Sequence, residues 1–118
     1  MQGSPVMKIE VAVLYTTWPD AESAAAAGRV LVGEGLCACV NVLAPMRSIY
    51  RWSAAVEETV EVPALFKTTA EAAPALKTRI LALHPYDNAC VMMLPVAEEG
   101  SSAAFTDWIR QGVTPIRG

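Results

Sequence analysis

The chain has 118 residues and a mass of 12.6 kDa, which suits one domain and excludes two independent cores. Hydrophobic residues make up 53% and charged residues 18%, with a mean hydropathy of +0.33, more apolar than the roughly 45–50% and 25% of ordinary soluble domains. A net charge of −3 argues against a nucleic-acid partner, because phosphate backbones call for a basic face.

From Met7 to Thr17 an alternating pattern becomes continuously apolar, as in a strand entering a buried sheet. A helix is predicted over 19–34, with Pro19, Asp20 and Glu22 suited to its start and Gly35 to a left-handed cap at its end. Leu36–Leu43 and Ser48–Trp52 read as one long strand kinked at Ala44-Pro45. Ser53–Ala55 then turns into a second long strand, Val56–Thr69, expected to send Val60, Val62, Leu65 and Phe66 into the core, with Pro63 marking an edge or bulge. Residues 70–84 form a second helix with Leu76, Ile80 and Leu83 inward and Pro74 in its first turn, and Pro85 ends it. Cys90–Val96 is expected as the fourth core strand. Ser101 or Ser102 caps a short last helix carrying Phe105, Trp108 and Ile109 on one face. The order is βαββαβ plus a C-terminal helix, an α+β ferredoxin-like sandwich. Residues 1–6 are a tail and 7–118 the single domain.

The apolar excess is partly alanine, which favours helix and adds little core volume. The remainder points to a surface covered by another chain, and two strands too long for one small sheet point the same way. No apolar run reaches the roughly 18–20 residues of a membrane span, and Met1–Pro5 lacks the features of a signal peptide, so cytoplasmic residence without a membrane partner is expected. Three cysteines, two of them at i and i+2, do not make a disulfide framework. Cys39 is expected to face the core.

His84 is the only histidine, so any imidazole ligand or base is this residue. His84-Pro85-Tyr86-Asp87-Asn88-Ala89-Cys90 gathers an imidazole, a phenol, a carboxylate and a thiol where a helix meets a core strand, although the spacing matches no zinc signature. His84 with Cys90 would suit Cu(I) or another soft ion; the plain alternative is ordinary core packing. Neither a nucleophile elbow nor a phosphate loop is present, so an enzyme is not expected, hydrolysis through His84 being the one catalytic alternative. Arg47, Tyr50, Arg51, Trp52, Glu57, Glu58 and Glu61 cluster on the predicted hairpin, either as a solvated ribbon or as an interface; the aromatic and arginine content favours an interface.

Together, Tyr15-Thr16-Thr17-Trp18-Pro19-Asp20, Ala38-Cys39-Val40-Asn41-Val42, Ser48-Ile49-Tyr50-Arg51-Trp52, Val56-Glu57-Glu58, Glu61-Val62, Lys67-Thr68, Leu83-His84-Pro85-Tyr86 and Asp107-Trp108 resemble the CutA divalent-cation tolerance family, over about residues 8–111. The resemblance implies a PII-like homotrimer joined through the long hairpin, a role in tolerance and response to divalent metals, copper foremost, and copper binding in some members. It implies that His84 contacts metal. The family's motif often ends in Glu where this chain has Cys90, a change from carboxylate toward Cu(I) or Zn preference. The PII-like architecture carries a second expectation: a small anionic ligand in inter-subunit clefts lined by Tyr50, Trp52, Glu57, Lys67 and Tyr86.

Overall fold

Strand β1, Val11–Trp18, lies between two antiparallel partners, β4, Ala55–Thr69, and β5, Val91–Pro95, and is apolar nearly throughout because it sends side chains to cores on both faces of the sheet. The chain is described here from a computed structural model over residues 9–115; the expected tail at 1–6 lies outside the described residues. The main sheet runs β2-β4-β1-β5, where β2 is Cys39–Val42, and β3, Met46–Trp52, pairs with the outer half of β4. Counting β2 and β3 as one interrupted strand, this is the ferredoxin-like order.

The predicted kink is therefore real, and Pro63 lies across from it rather than on a sheet edge. In an antiparallel ladder the N–H and C=O of a residue point to the same side. The Pro63 carbonyl accepts from the Leu43 N–H at 2.9 Å, so its donorless nitrogen faces the break at 43–45, where no strand asks for a bond.

Helix α1, Ala21–Gly33, starts where the Asp20 carboxylate accepts from the Ser23 N–H at 2.7 Å, a bond that also holds the Asp20 carboxyl below its ordinary range. It stops at Gly35 as expected. Leu36 N–H reaches Leu31 C=O at 3.1 Å and Gly35 N–H reaches Val32 C=O at 3.0 Å, with Gly35 at φ 74°. That glycine is doubly required, since a Cβ there would fall 2.2 Å from the Thr114 hydroxyl.

Alternation along the strands sorts two cores. Leu14, Trp18, Ala64 and Phe66 meet Ala24, Ala27 and Leu31 of α1 and Leu76 and Ile80 of α2, Ala73–Leu83. On the opposite face Val11 and Ala72 meet Ile109 and Val113 at helix α3, Ala103–Gly112. The helix α3 covers only one end of that face. Met92 and Leu94 of β5 project from the rest of it, so β5 completes the sheet but is not the core strand expected. Val60 and Leu83 are likewise exposed, not buried as expected. Val60 lies on the part of β4 that has run past the helices, and Leu83 is the last residue of α2.

A buried polar relay fixes the end of β1. The Trp18 indole N–H donates to the Thr16 hydroxyl at 2.7 Å, and that hydroxyl donates to the Ala64 carbonyl at 2.8 Å. Thr16→Val preserves volume but strands the indole donor, so we expect a loss of about 1–3 kcal/mol, read as a lower urea midpoint with an unchanged slope.

Candidate functional site

Helix α2 ends because Pro85 pushes the residue before it out of helical geometry, and His84 accordingly adopts φ −76°, ψ 138°. That turn swings the imidazole beneath the sheet end, where it stacks on Trp18 with centroids 4.2 Å apart and is only 8% exposed. Nε2 lies 2.7 Å from the Thr17 carbonyl and Nδ1 lies 3.1 Å from the Tyr86 N–H. A carbonyl only accepts and an amide N–H only donates, so the proton sits on Nε2 and Nδ1 accepts. Both ring nitrogens are thus used within the chain. Ligating a metal, or taking a proton from a substrate, would require His84 to give up one of these bonds.

In this arrangement His84 holds Tyr86. The Tyr86 ring packs against the imidazole at 5.0 Å, and from there Tyr86 forms one wall of a cleft of about 570 Å³. The β3–β4 hairpin forms the other wall. Its tip is the two-residue turn Ser53-Ala54, shorter than expected, with Ser53 at φ 53°. This turn sets Tyr50 opposite Glu57, Ser48 opposite Thr59 and Met46 opposite Glu61, so these side chains share one face. Tyr50, Trp52, Glu57, Thr59 and Glu61 line the cleft together with Thr17, Asn88 and Cys90, and Arg51, from the neighbouring position near the hairpin tip, contributes to the lining as well. The opposite hairpin face carries Arg47, Ile49, Arg51, Val56, Glu58 and Val60.

Four of the five expected cleft residues, Tyr50, Trp52, Glu57 and Tyr86, therefore come together, and the fifth does not. Lys67 lies toward the far end of β4, opposite Cys39 and Val13, with its ammonium 5.1 Å above the Phe105 ring. The cleft within this chain therefore lacks Lys67, and Arg51 is the basic residue of its lining among the described residues. Thr17, Thr59 and Asn88 do not stand out in the sequence. For Thr59 the signal is the alternation Glu57-Thr59-Glu61, legible only once the hairpin register is known.

Cys90 opens onto the cleft, but among the described residues no group of three or more His, Cys, Asp and Glu side chains is placed to hold a metal ion. The described residues of one chain do not assemble a complete donor set. The three thiols are free. The core position expected for Cys39 belongs to Cys37, while Cys39 lies half-buried on the opposite face from Val40, which packs against α1.

The α+β ferredoxin-like domain, with helices on one face, a partly open sheet on the other and a projecting hairpin, defines the class. The profile of the CutA1 divalent ion tolerance protein family matches residues 12–112. The divalent-cation tolerance protein CutA of Thermus thermophilus is 42% identical over 99 residues, covering 84% of this chain and 94% of that protein. A solved structure of the Thermus thermophilus protein superposes with a TM-score of 0.83, at 40% identity, over 88% of this chain and 99% of that one. Human Protein CutA is 35% identical over 109 residues, 92% of this chain but 60% of the human protein's length. The chain belongs to the CutA1 divalent ion tolerance family.

Burial, reinforced by the neighbouring Cys39, pushes the Cys37 thiol up to about 12, against 9.0 for an ordinary thiol. Between those values the unfolded chain has lost a proton that the folded chain keeps. Stability therefore falls as pH rises above 9, by up to about 1.4 kcal/mol per pH unit, and is unaffected by this group below 9. Urea denaturation from pH 8 to 11 should show a shallower decline in Cys37→Ala than in the wild type.

Proposed function

We propose that the chain acts in divalent-cation tolerance, copper foremost, as a homotrimer in the cytoplasm, and that an ion is bound at the cleft through Cys90. Family membership supports the tolerance role. The observation that supports the assembly is the outer face of the hairpin, where, among Arg47, Arg51 and Glu58, the apolar Ile49 is 62%, Val56 68% and Val60 60% exposed on a ribbon reaching beyond its own sheet. Met92 and Leu94 on the open sheet face add to it. Side chains of this kind are covered by another chain in stable proteins, and edge strands extend most readily by pairing with copies of themselves.

Assembly also answers the incomplete donor set, because a second copy can bring further carboxylates or thiols to Cys90, Glu57 and Glu61. A thiolate in that set favours Cu(I) or Zn over harder ions. His84 is either a second ligand, having released the Tyr86 amide, or the support that holds the cleft wall.

Light scattering should give three times 12.6 kDa for the wild type, and a smaller, still folded species for Val56→Glu combined with Val60→Glu. A wild-type monomer would refute the assembly. Equilibrium dialysis against copper and zinc should show binding at micromolar concentrations that Cys90→Ser removes. Loss in His84→Ala as well makes His84 a ligand, whereas retention there leaves it as the support; binding unchanged in Cys90→Ser would refute the site.

A further inference from the structure

We propose that the cleft between the β3–β4 hairpin and the 86–90 loop binds an organic ammonium ion, seated against Tyr50, Trp52 and Tyr86 and neutralised by Glu57 and Glu61. This goes beyond the metal reading, since it needs neither a metal nor Cys90.

The volume of about 570 Å³ falls within the ~300–1,000 Å³ usual for small-molecule sites. Three of the chain's aromatic side chains line it, and no ring stacking joins one to another among the described residues, so their faces remain available to a guest. Tyr86 is held in place from behind by His84. Glu57 stands directly across the ribbon from Tyr50, and among the described residues neither Glu57 nor Glu61 is ion-paired. Arg51 is the only basic residue of the lining among the described residues.

The local field has the matching sign. The Tyr86 phenol is raised above its ordinary value first by burial, which resists charge of either sign, and then by Glu61, Tyr50 and Asp20; it is the carboxylates of Glu61 and Asp20 that favour a positive charge there. An aromatic face attracts a cation most when the cation is weakly hydrated, and an alkylammonium fulfils this better than a divalent metal, which wants several close oxygen or sulfur donors. Carboxylates beside aromatic faces are thus the chemistry of an ammonium site.

The test uses the assembled wild-type protein and tetramethylammonium, whose single methyl resonance broadens on binding, with tert-butanol as the neutral counterpart of similar shape and sodium chloride as the ionic-strength control. Saturable broadening by tetramethylammonium alone, weakened roughly tenfold by Trp52→Leu and by Glu61→Gln and left unchanged by Cys90→Ser, is the expected result. Circular dichroism and light scattering establish that each variant keeps the wild-type fold and mass; should Trp52→Leu fail either check, Tyr50→Leu replaces it. Absence of saturable broadening, as when a neighbouring copy's side chain fills the cleft, overturns the proposal. Equal binding of tert-butanol, or binding unchanged in the aromatic and carboxylate variants, overturns it too. Loss of metal binding in Cys90→Ser with tetramethylammonium binding intact keeps this site separate from the metal reading.

Discussion

A β-strand has only two hydrogen-bonding edges, and the fifteen residues of β4 divide theirs among three neighbours. One edge serves β1 from Val62 to Thr69. The other serves β2 over Ala64–Lys67 and β3 over Ala55–Glu61. The two partners cannot be continuous across Pro63, which has no N–H to give, and the chain opposite it turns at Ala44-Pro45. That single missing donor separates a buried sheet from an exposed hairpin. The rest of the molecule follows: helices cover the half of β4 that pairs with β1, and no described element covers the half that pairs with β3.

The cleft exists because the two halves are braced at their junction. Trp18 closes β1, its indole tied through Thr16 to the Ala64 carbonyl of β4, and its ring supports His84. His84 in turn bonds to β1 at Thr17 and to the backbone of Tyr86. The single imidazole of the chain thereby links β1 to the loop that walls the cleft. Buried polar groups of this kind fix geometry strongly because each lost partner leaves an unsatisfied donor or acceptor in a dry environment.

The apolar excess has separate destinations. Alanines such as Ala24 and Ala27 let α1 lie close on the sheet, and Gly28 brings its backbone still closer to Val40. Among the larger exposed residues, Ile49, Val56 and Val60 lie on the hairpin's outer face and Met92 and Leu94 on the open sheet face, where the described residues of one protomer leave them open to solvent. Charge is sorted as well: Arg110 bridges Glu10, Glu98 and Asp107 beside α3, and Arg79 joins α2 to Glu34 at the end of α1, whereas among the described residues the cleft carboxylates have no ion pair.

Local rules written in the sequence determined the elements and their ends. Asp20 caps α1, Gly35 stops it, Pro85 stops α2, and the period-two pattern of β1 marks its buried face, because each depends on one or two residues and their immediate backbone. The succession of those elements made the ferredoxin-like order legible too. Only the tertiary structure decided which thiol is buried, that Lys67 reaches Phe105 instead of the cleft, that Val60 and Leu83 face outward, and that both nitrogens of His84 are engaged. Those outcomes turn on strand register, on where β4 outruns the helices and on partners up to 67 residues away in the chain, and no local pattern encodes such distances.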